Sequence, residues 1–210
     1  MAEREGVRLD RELIVRAALE LLDEVGLDAL STRKLAERLG VQSPALYWHV
    51  RGKPELLDLM AQELMGVPES EPGGATWEER ATSTARARRR RLLSRRDGAR
   101  LIAGTRPGPD VARAAEEGLA ELVAAGLDPA TALHTLIAIS HFVTGFVLEE
   151  QAAAAREVPT PAGGADYPLL REAIATGGPP EGDRAFEHGL GALIGGLARH
   201  LPGREEGRRR

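Results

Sequence analysis

Residues 31–53 of this chain hold two short helical patterns that are separated by a tight turn, which begins at Gly40 and runs through Val41 and Gln42. The first pattern starts at Thr32, whose side-chain oxygen can cap a helix, and stops at Gly40, since glycine readily adopts the left-handed conformation that ends a helix. A second helix is predicted to start with Ser43 as N-cap and Pro44 at the first helical position, where no amide hydrogen is needed. Two short helices joined by so tight a turn predict a helix-turn-helix unit, whose second helix enters a DNA groove.

The second helix is predicted to run to about Val50 and to carry an aromatic pair. Leu46 and Val50, four residues apart, can anchor it to a core. Tyr47 and Trp48 lie about 100° apart around the helix axis, so they cannot both face that core. A buried aromatic pair is the alternative, but the spacing favours a surface that contacts phosphates or base edges.

Local charge agrees with DNA binding. Between positions 31 and 53 there are five cations and one anion, whereas the whole chain has a formal net charge of −4. A basic island on an acidic protein is typical of phosphate contact, although a solvated helix face would give the same run. The cations are Arg33, Lys34, Arg38, Arg51 and Lys53.

The rest of the chain also has helical patterning, which predicts an all-α fold. Apolar residues recur at helical spacing over 13–25, and a fourth helix should begin near Lys53. From position 77 onward, long alanine- and leucine-rich stretches alternate with glycine- and proline-rich breaks, and no stretch shows the alternation of a strand. We predict an N-terminal extension over 1–9, a helix-turn-helix domain over 10–66, a C-terminal helical ligand-binding and dimerisation domain over 76–202 and a polar tail over 203–210.

Composition narrows the class of protein. The 210 residues include no cysteine, the N-terminus is charged, and no run of about 18 purely apolar residues occurs. We therefore expect no disulfide, no membrane span and a cytoplasmic location. Nucleophile-elbow and phosphate-loop patterns are missing, so enzymatic activity is not expected.

Two helices of the second part are candidates for close packing. Residues 130–155 are apolar around much of the helix, which predicts burial on several sides. In the last helix, over 183–201, Gly191 and Gly195 share a face that another backbone can approach, which suggests a subunit interface. Compositional bias toward glycine is the alternative.

Charged and metal-ligating side chains in the second part leave two further hypotheses open. His134, His141 and Glu149 lie near one face of the 130–155 helix and could hold a metal, although hydrogen-bonded core or interface histidines are the commoner case. An arginine run over 86–96 could form a second nucleic-acid patch, but partly solvated helix surface is favoured. Its position also allows Arg88 to point inward at a ligand.

Several segments of this sequence resemble the tetracycline-repressor family of bacterial transcriptional regulators. They include YWHV within residues 18–58, GTRP over 104–107, SHFVTGFVLEEQ over 140–151 and AFEHGLGALIGGL over 185–197. The resemblance implies an all-helical homodimer with two reading heads, joined by a four-helix bundle from the 130–155 and 183–201 helices. It further implies a repressor that a small-molecule effector releases from a palindromic double-stranded DNA operator.

The resemblance implies DNA contacts that are only partly retained. Ser43 and Ala45 replace the glutamine and threonine of tetracycline repressors, so a different operator sequence is expected. Together with the residues that the helix pattern itself selects, the predicted DNA-binding set is Thr32, Arg33, Gln42, Ser43, Pro44, Ala45, Tyr47, Trp48, His49 and Lys53.

The effector pocket departs further from the pattern. Ile102 stands where the family has its magnesium-ligating histidine, Glu69 replaces another drug-contacting histidine, and Thr84 and Arg88 replace the asparagine and phenylalanine that hold the drug. We therefore predict no metal, no cofactor and an effector other than magnesium-tetracycline. The predicted effector-binding set is Arg88, Ile102, Thr105, Arg106, Pro107, Leu133, Leu136, Ile137, Glu149, Leu170 and Ile174. The alternatives are a regulator without an effector and an enzyme that reuses the helical pocket.

Overall fold

The computed structural model describes residues 9–66, 74–156 and 167–200, and these form helices without any strand. The all-α prediction is confirmed. The helices are α1 (Arg11–Ala29), α2 (Thr32–Leu39), α3 (Ser43–Tyr47), α4 (Lys53–Met65), α5 (Trp77–Leu93), α6 (Gly98–Ala103), α7 (Pro109–Ala124), α8 (Pro129–Ala154), α9 (Pro168–Gly177) and α10 (Asp183–Leu197), followed by a 3-10 turn (Ala198–His200).

Helices α1 to α4 pack around a small apolar core at the N-terminal end. Asp10 caps α1 by accepting a hydrogen bond from the Leu13 amide at 2.8 Å. Gly26, with φ of 75°, interrupts α1 near its end. The side chains that hold the four helices together are fully buried, among them Leu22, Leu35, Leu46 and Leu56.

Two predicted helix starts are wrong by one residue. Ser31 is the N-cap of α2, because its extended backbone lets the hydroxyl accept from the Lys34 amide at 3.3 Å, and Thr32 is already helical. In α3, Gln42 occupies the cap position without a side-chain hydrogen bond, and Ser43 is the first helical residue. Gly40 ends α2 in the left-handed conformation, as predicted.

Helix α3 is also shorter than predicted, ending at Tyr47 rather than near Val50. The amides of His49 and Val50 both donate to the Leu46 carbonyl at 2.9 Å, so the last turn tightens and the chain leaves the helix. Gly52, with φ of 130°, then redirects it into α4.

The second core lies among α5, α8 and α10. Phe142, Phe146 and Phe186 contact one another with ring centroids 5.3 to 5.9 Å apart. The Arg89 guanidinium lies 4.6 Å from the Phe186 ring centroid and bonds Glu150 at 2.8 Å. This combination fixes α5 against both other helices.

Helix α8 is less buried in the single chain than its composition predicts. One face, with Ile139, Val143 and Val147, is buried, but Leu133 and Ile137 are 42% and 40% exposed. The helix has 26 residues, and its most apolar 18-residue stretch has a mean hydropathy of 1.6. By length and composition it could cross a membrane, a test that core helices of water-soluble proteins also pass. The expectation that α8 is buried on several sides is thus wrong for a single chain, because the other described helices pack against only one of its faces.

Helix α9 has no buried residue, and Leu169 and Leu170 are 79% and 51% exposed. Residues 157–166, just before α9, and residues 67–73, which include Glu69, lie outside the described ranges. So do positions 1–8 and the predicted tail at 203–210.

We call the unit formed by α1 to α4 the reading head and the unit formed by α5 to α10 the C-terminal core. The two meet along α1, α4 and α6. Asp97, the one non-glycine residue with positive φ in the described ranges, accepts from the Leu27 amide at 2.8 Å. Arg95 pairs with Asp23 at 2.6 Å. These two contacts join the C-terminal core to α1.

Candidate DNA-binding surface and effector site

The outer face of α3 presents its aromatic pair to solvent. Tyr47 is 53% exposed and Trp48 is 89% exposed, while Leu46 and Val50 lie buried beneath them. The prediction that the aromatic pair is exposed rather than buried is confirmed. Since exposing an indole to water is costly, a fixed aromatic surface on a helix-turn-helix unit is typical of a binding face.

The other predicted DNA-binding residues lie close together along the chain. They occupy the start of α2, α3 with the residues that flank it, and the first position of α4, which is Lys53. Arg33, Gln42 and Pro44 are exposed, whereas Thr32, Ser43, Ala45, His49 and Lys53 are half-buried.

The basic island is smaller than the sequence predicts. Arg38 is bound by Glu20 at 3.0 Å and by Glu24 at 2.8 Å, both from α1. Hydrogen bonds from these carboxylates, that of Glu24 foremost, raise the pKa of the Arg38 guanidinium above its ordinary value. Arg38 is therefore a structural cation, and its inclusion in the phosphate-contacting island was wrong.

Two further cations of the island also have protein partners. Arg33 pairs with Glu37 at 2.9 Å, but both side chains are mostly exposed, so the pair is weak and can open. The ammonium of Lys53 donates to the Leu27 carbonyl at 3.4 Å and keeps donors for another acceptor. Both can still face a phosphate.

Arg88 extends from α5 toward α8 and has an unusual environment for a cation. Its Nη2 donates to Thr144 Oγ1 at 3.2 Å, and its buried Nε has no hydrogen-bond partner. Burial lowers the pKa of this guanidinium, with a further contribution from neighbouring Arg91. The inward orientation considered for Arg88 is confirmed.

The loop after α6 connects this region to the reading head. Thr105 donates through Oγ1 to the Ile102 carbonyl at 3.1 Å, and the Arg106 amide donates to Asp58 of α4 at 3.0 Å. Pro107 is exposed at the same loop. The side chain of Ile102 is half-buried and packs against the core, and it offers no atom that can ligate magnesium.

The remaining predicted effector residues are only partly brought together. Leu136 packs against α7 at Gly118, and Leu133 and Ile137 lie on the strip of α8 that also carries Thr144, because spacings of four and seven residues keep them within about 40° of one another. Glu149 and Leu170 are exposed, and Ile174, on α9, is half-buried. An open groove of about 460 Å³ elsewhere, along the first turns of α5, is lined by none of the predicted effector residues.

The metal hypothesis for α8 gains no support. His134, His141 and Glu149 are all exposed, and the described residues contain no group of three or more His, Asp or Glu side chains placed to hold a metal. Sequence reasoning missed Thr144 and Asp58. Only the helical spacing from Leu133 and Ile137 could have indicated Thr144, and nothing local indicated Asp58.

Comparison with known proteins agrees with the two parts of this site. Residues 14–60 match the family model "Bacterial regulatory proteins, tetR family", and residues 68–201 match the "Tetracyclin repressor-like, C-terminal domain". The chain belongs to the tetR family. It is a ligand-responsive, DNA-binding transcriptional repressor of that family.

Relatives match the tetR-family chain over nearly its full length. The tetracycline repressor protein class A from transposon 1721 of Escherichia coli is 44% identical, with 91% of this chain and 92% of that protein covered. Among solved structures, TetR from Acinetobacter baumannii AYE is 42% identical with a TM-score of 0.74, covering 91% of this chain and 98% of the other. The Streptomyces coelicolor protein ActR in complex with actinorhodin is 32% identical with a TM-score of 0.77, covering 94% and 99%. These relatives are regulators.

Proposed function

We propose that this chain represses transcription as a homodimer on a palindromic operator and is released by a small molecule other than magnesium-tetracycline. The observation that carries the proposal is the fixed, exposed aromatic face of α3 on a complete reading head. Regulation of transcription in the cytoplasm, rather than catalysis, is the role that such a face supports.

On the DNA, α3 occupies the major groove and α2 lies across the backbone. Thr32, Arg33 and Lys53 contact phosphates, while Gln42, Ser43 and Ala45 contact base edges at the start of α3. Pro44, Tyr47, Trp48 and His49 supply apolar and aromatic contacts to sugars and thymine methyls.

The dimer uses α8 and α10 of each chain. Nothing lies within 4 Å of an added Cβ at Gly145, Gly191 or Gly195, so this small-residue surface is open to another backbone. The exposed apolar residues of α9 support further burial between chains. Two heads held by one bundle then fit two half-sites related by two-fold symmetry.

The effector lies between α5, α7 and α8, near the loop after α6. The contacts come from Arg88, Ile102, Thr105, Arg106, Pro107, Leu133, Leu136 and Ile137, and from Glu149, Leu170 and Ile174 of one or the other chain. Magnesium-tetracycline does not fit, because Ile102 has no ligating atom and Arg88 brings a positive charge toward the chelated cation. An effector must bind the DNA-incompetent state more tightly to release the operator.

Footprinting with the full chain on the DNA upstream of its own gene and of the adjacent genes tests this proposal. A protected site with two-fold symmetry is expected. Trp48→Ala should abolish protection at the same protein concentration while circular dichroism stays unchanged. A chain that protects no symmetric site would contradict the proposal.

A further inference from the structure

A largely buried guanidinium without an anion is the feature of this structure that the repressor role leaves unexplained. Arg88 is the cation, and among the described residues no carboxylate lies within ion-pair distance of it. Its polar partner is the neutral hydroxyl of Thr144. Arginine stays protonated in proteins, so this charge cannot be removed by losing a proton.

The neighbours of Arg88 make the charge imbalance larger. Arg91 follows one turn later on α5, adds a second positive charge and donates to the Met65 carbonyl at the end of α4. By contrast, the adjacent Arg86 and Arg89 are paired with Glu187, Glu150 and Asp183. Within the described residues, α5 thus carries carboxylate-paired arginines at positions 86 and 89 and arginines without such a partner at positions 88 and 91.

Apolar side chains lie along the same strip of α8 as the hydroxyl that Arg88 contacts. Leu133 and Ile137 precede Thr144 on this strip and are about two-fifths exposed. A molecule seated there would cover apolar surface and reach a guanidinium Nε that has no partner. A planar carboxylate matches the donor pattern of a guanidinium better than any neutral acceptor.

We propose that the effector of this repressor is an apolar or aromatic molecule with a carboxylate or an equivalent anionic group, which Arg88 binds. The inference rests on the proposed function, since it names the ligand class of that same site. It predicts that Arg88 discriminates an acid from its neutral amide. A charge-assisted hydrogen bond in a buried site corresponds to a loss of about ten- to a hundredfold in affinity when the charge is removed.

The experiment uses thermal shift of the full chain with a panel of bicyclic and tricyclic aromatic carboxylic acids, each tested beside its own carboxamide. Acids should raise the melting temperature of the wild type and amides should not. Arg88→Met and the milder Arg88→Gln should remove the response to acids. Arg86→Met, on the same helix but paired with Glu187 at the surface, should keep it.

A second readout does not need a ligand. Because Arg88 is an uncompensated and largely buried cation, Arg88→Met should raise the melting temperature of the unliganded protein by about 2–4 °C. A fall in both Arg88 variants would show that the charge is already compensated and would overturn the proposal. So would stabilisation by amides equal to that by acids, a response to acids that survives Arg88→Met, or no response to any acid.

These outcomes are separable from failure of the repressor role. A chain that protects a symmetric operator and is released by a neutral compound keeps the proposed function and overturns the anionic ligand. A chain that binds acids through Arg88 but protects no symmetric site does the opposite.

Discussion

The reading head and the C-terminal core differ in how completely a single chain buries its own apolar side chains. In the head, most apolar residues of α1 to α4 are buried or half-buried, and Tyr47 and Trp48 remain outside as a defined face. In the core, α8 exposes Leu133 and Ile137, and α9 has no buried residue. The head is therefore complete as a folded unit, whereas the core leaves apolar surface that a second chain and a ligand cover in the proposed dimer.

The largest effect is expected from a substitution that disrupts the proposed dimer interface of the C-terminal core and leaves the fold of the head unchanged. Gly195→Leu fills an open surface of α10, so the single chain should tolerate it and the dimer should not form. Loss of the second head should lower operator affinity by about a hundredfold or more, since linked binding sites gain by that order. Sedimentation velocity should show a monomer.

The matched control is Ala114→Leu on the exposed face of α7, which the proposed dimer does not use. It should stay dimeric and bind the operator normally. A dimeric Gly195→Leu protein would place the interface elsewhere.

Leu46 of α3 and Trp48, which caps the end of that helix, should separate stability from DNA binding. Leu46→Ala removes a buried side chain and should cost about 2–5 kcal/mol of unfolding free energy. Trp48→Ala should change it by less than about 0.5 kcal/mol, because the indole is exposed, while weakening operator binding at least about tenfold. Chemical denaturation and fluorescence anisotropy measure the two quantities, and a large loss of stability in Trp48→Ala would show that the indole belongs to the core.

Much of the head could be predicted from the sequence because its signals are local. Gly40, the Leu46 and Val50 spacing and the start of α4 follow from helix periodicity and capping. The failures depend on groups distant in sequence. Arg38 is bound by glutamates 14 and 18 residues away. The burial of α8 depends on which other helices, of the same chain or of a second chain, cover each of its faces. Arg88 could be singled out by position, but its missing anion is visible only in three dimensions.

A smaller effect should distinguish backbone contacts from base contacts within the head. Lys53→Ala removes one ammonium near the phosphates and should reduce the slope of log affinity against log salt by about one unit for every DNA sequence. Ser43→Ala should leave that slope unchanged and alter base preference at one position of each half-site. A change of sequence preference without a change of slope in Lys53→Ala would refute its phosphate contact.

The smallest effect concerns the junction between head and core. The Arg100 guanidinium, chiefly by its hydrogen bond, lowers the pKa of the Asp28 carboxyl. Because the pKa of Asp28 is lowered, its pair with Arg100 stabilises the fold at pH values above the ordinary pKa of aspartate. This stabilisation is lost as the pH falls through the pKa of Asp28 in the folded protein. Asp28→Asn should therefore lower the urea midpoint slightly at neutral pH and not at all in acid. High salt should diminish the difference, since the Asp28 side chain is 84% exposed; a difference that grows in acid would contradict this pairing.

Fluorescence anisotropy of the protected palindrome, measured during addition of magnesium and tetracycline, tests the central claim most directly. We predict that the chain binds the palindrome with a two-fold symmetric footprint and that the complex persists at saturating chelate, because Ile102 offers no ligand and Arg88 repels the metal. Release of the DNA by magnesium-tetracycline, or no binding to any symmetric site, would contradict the account.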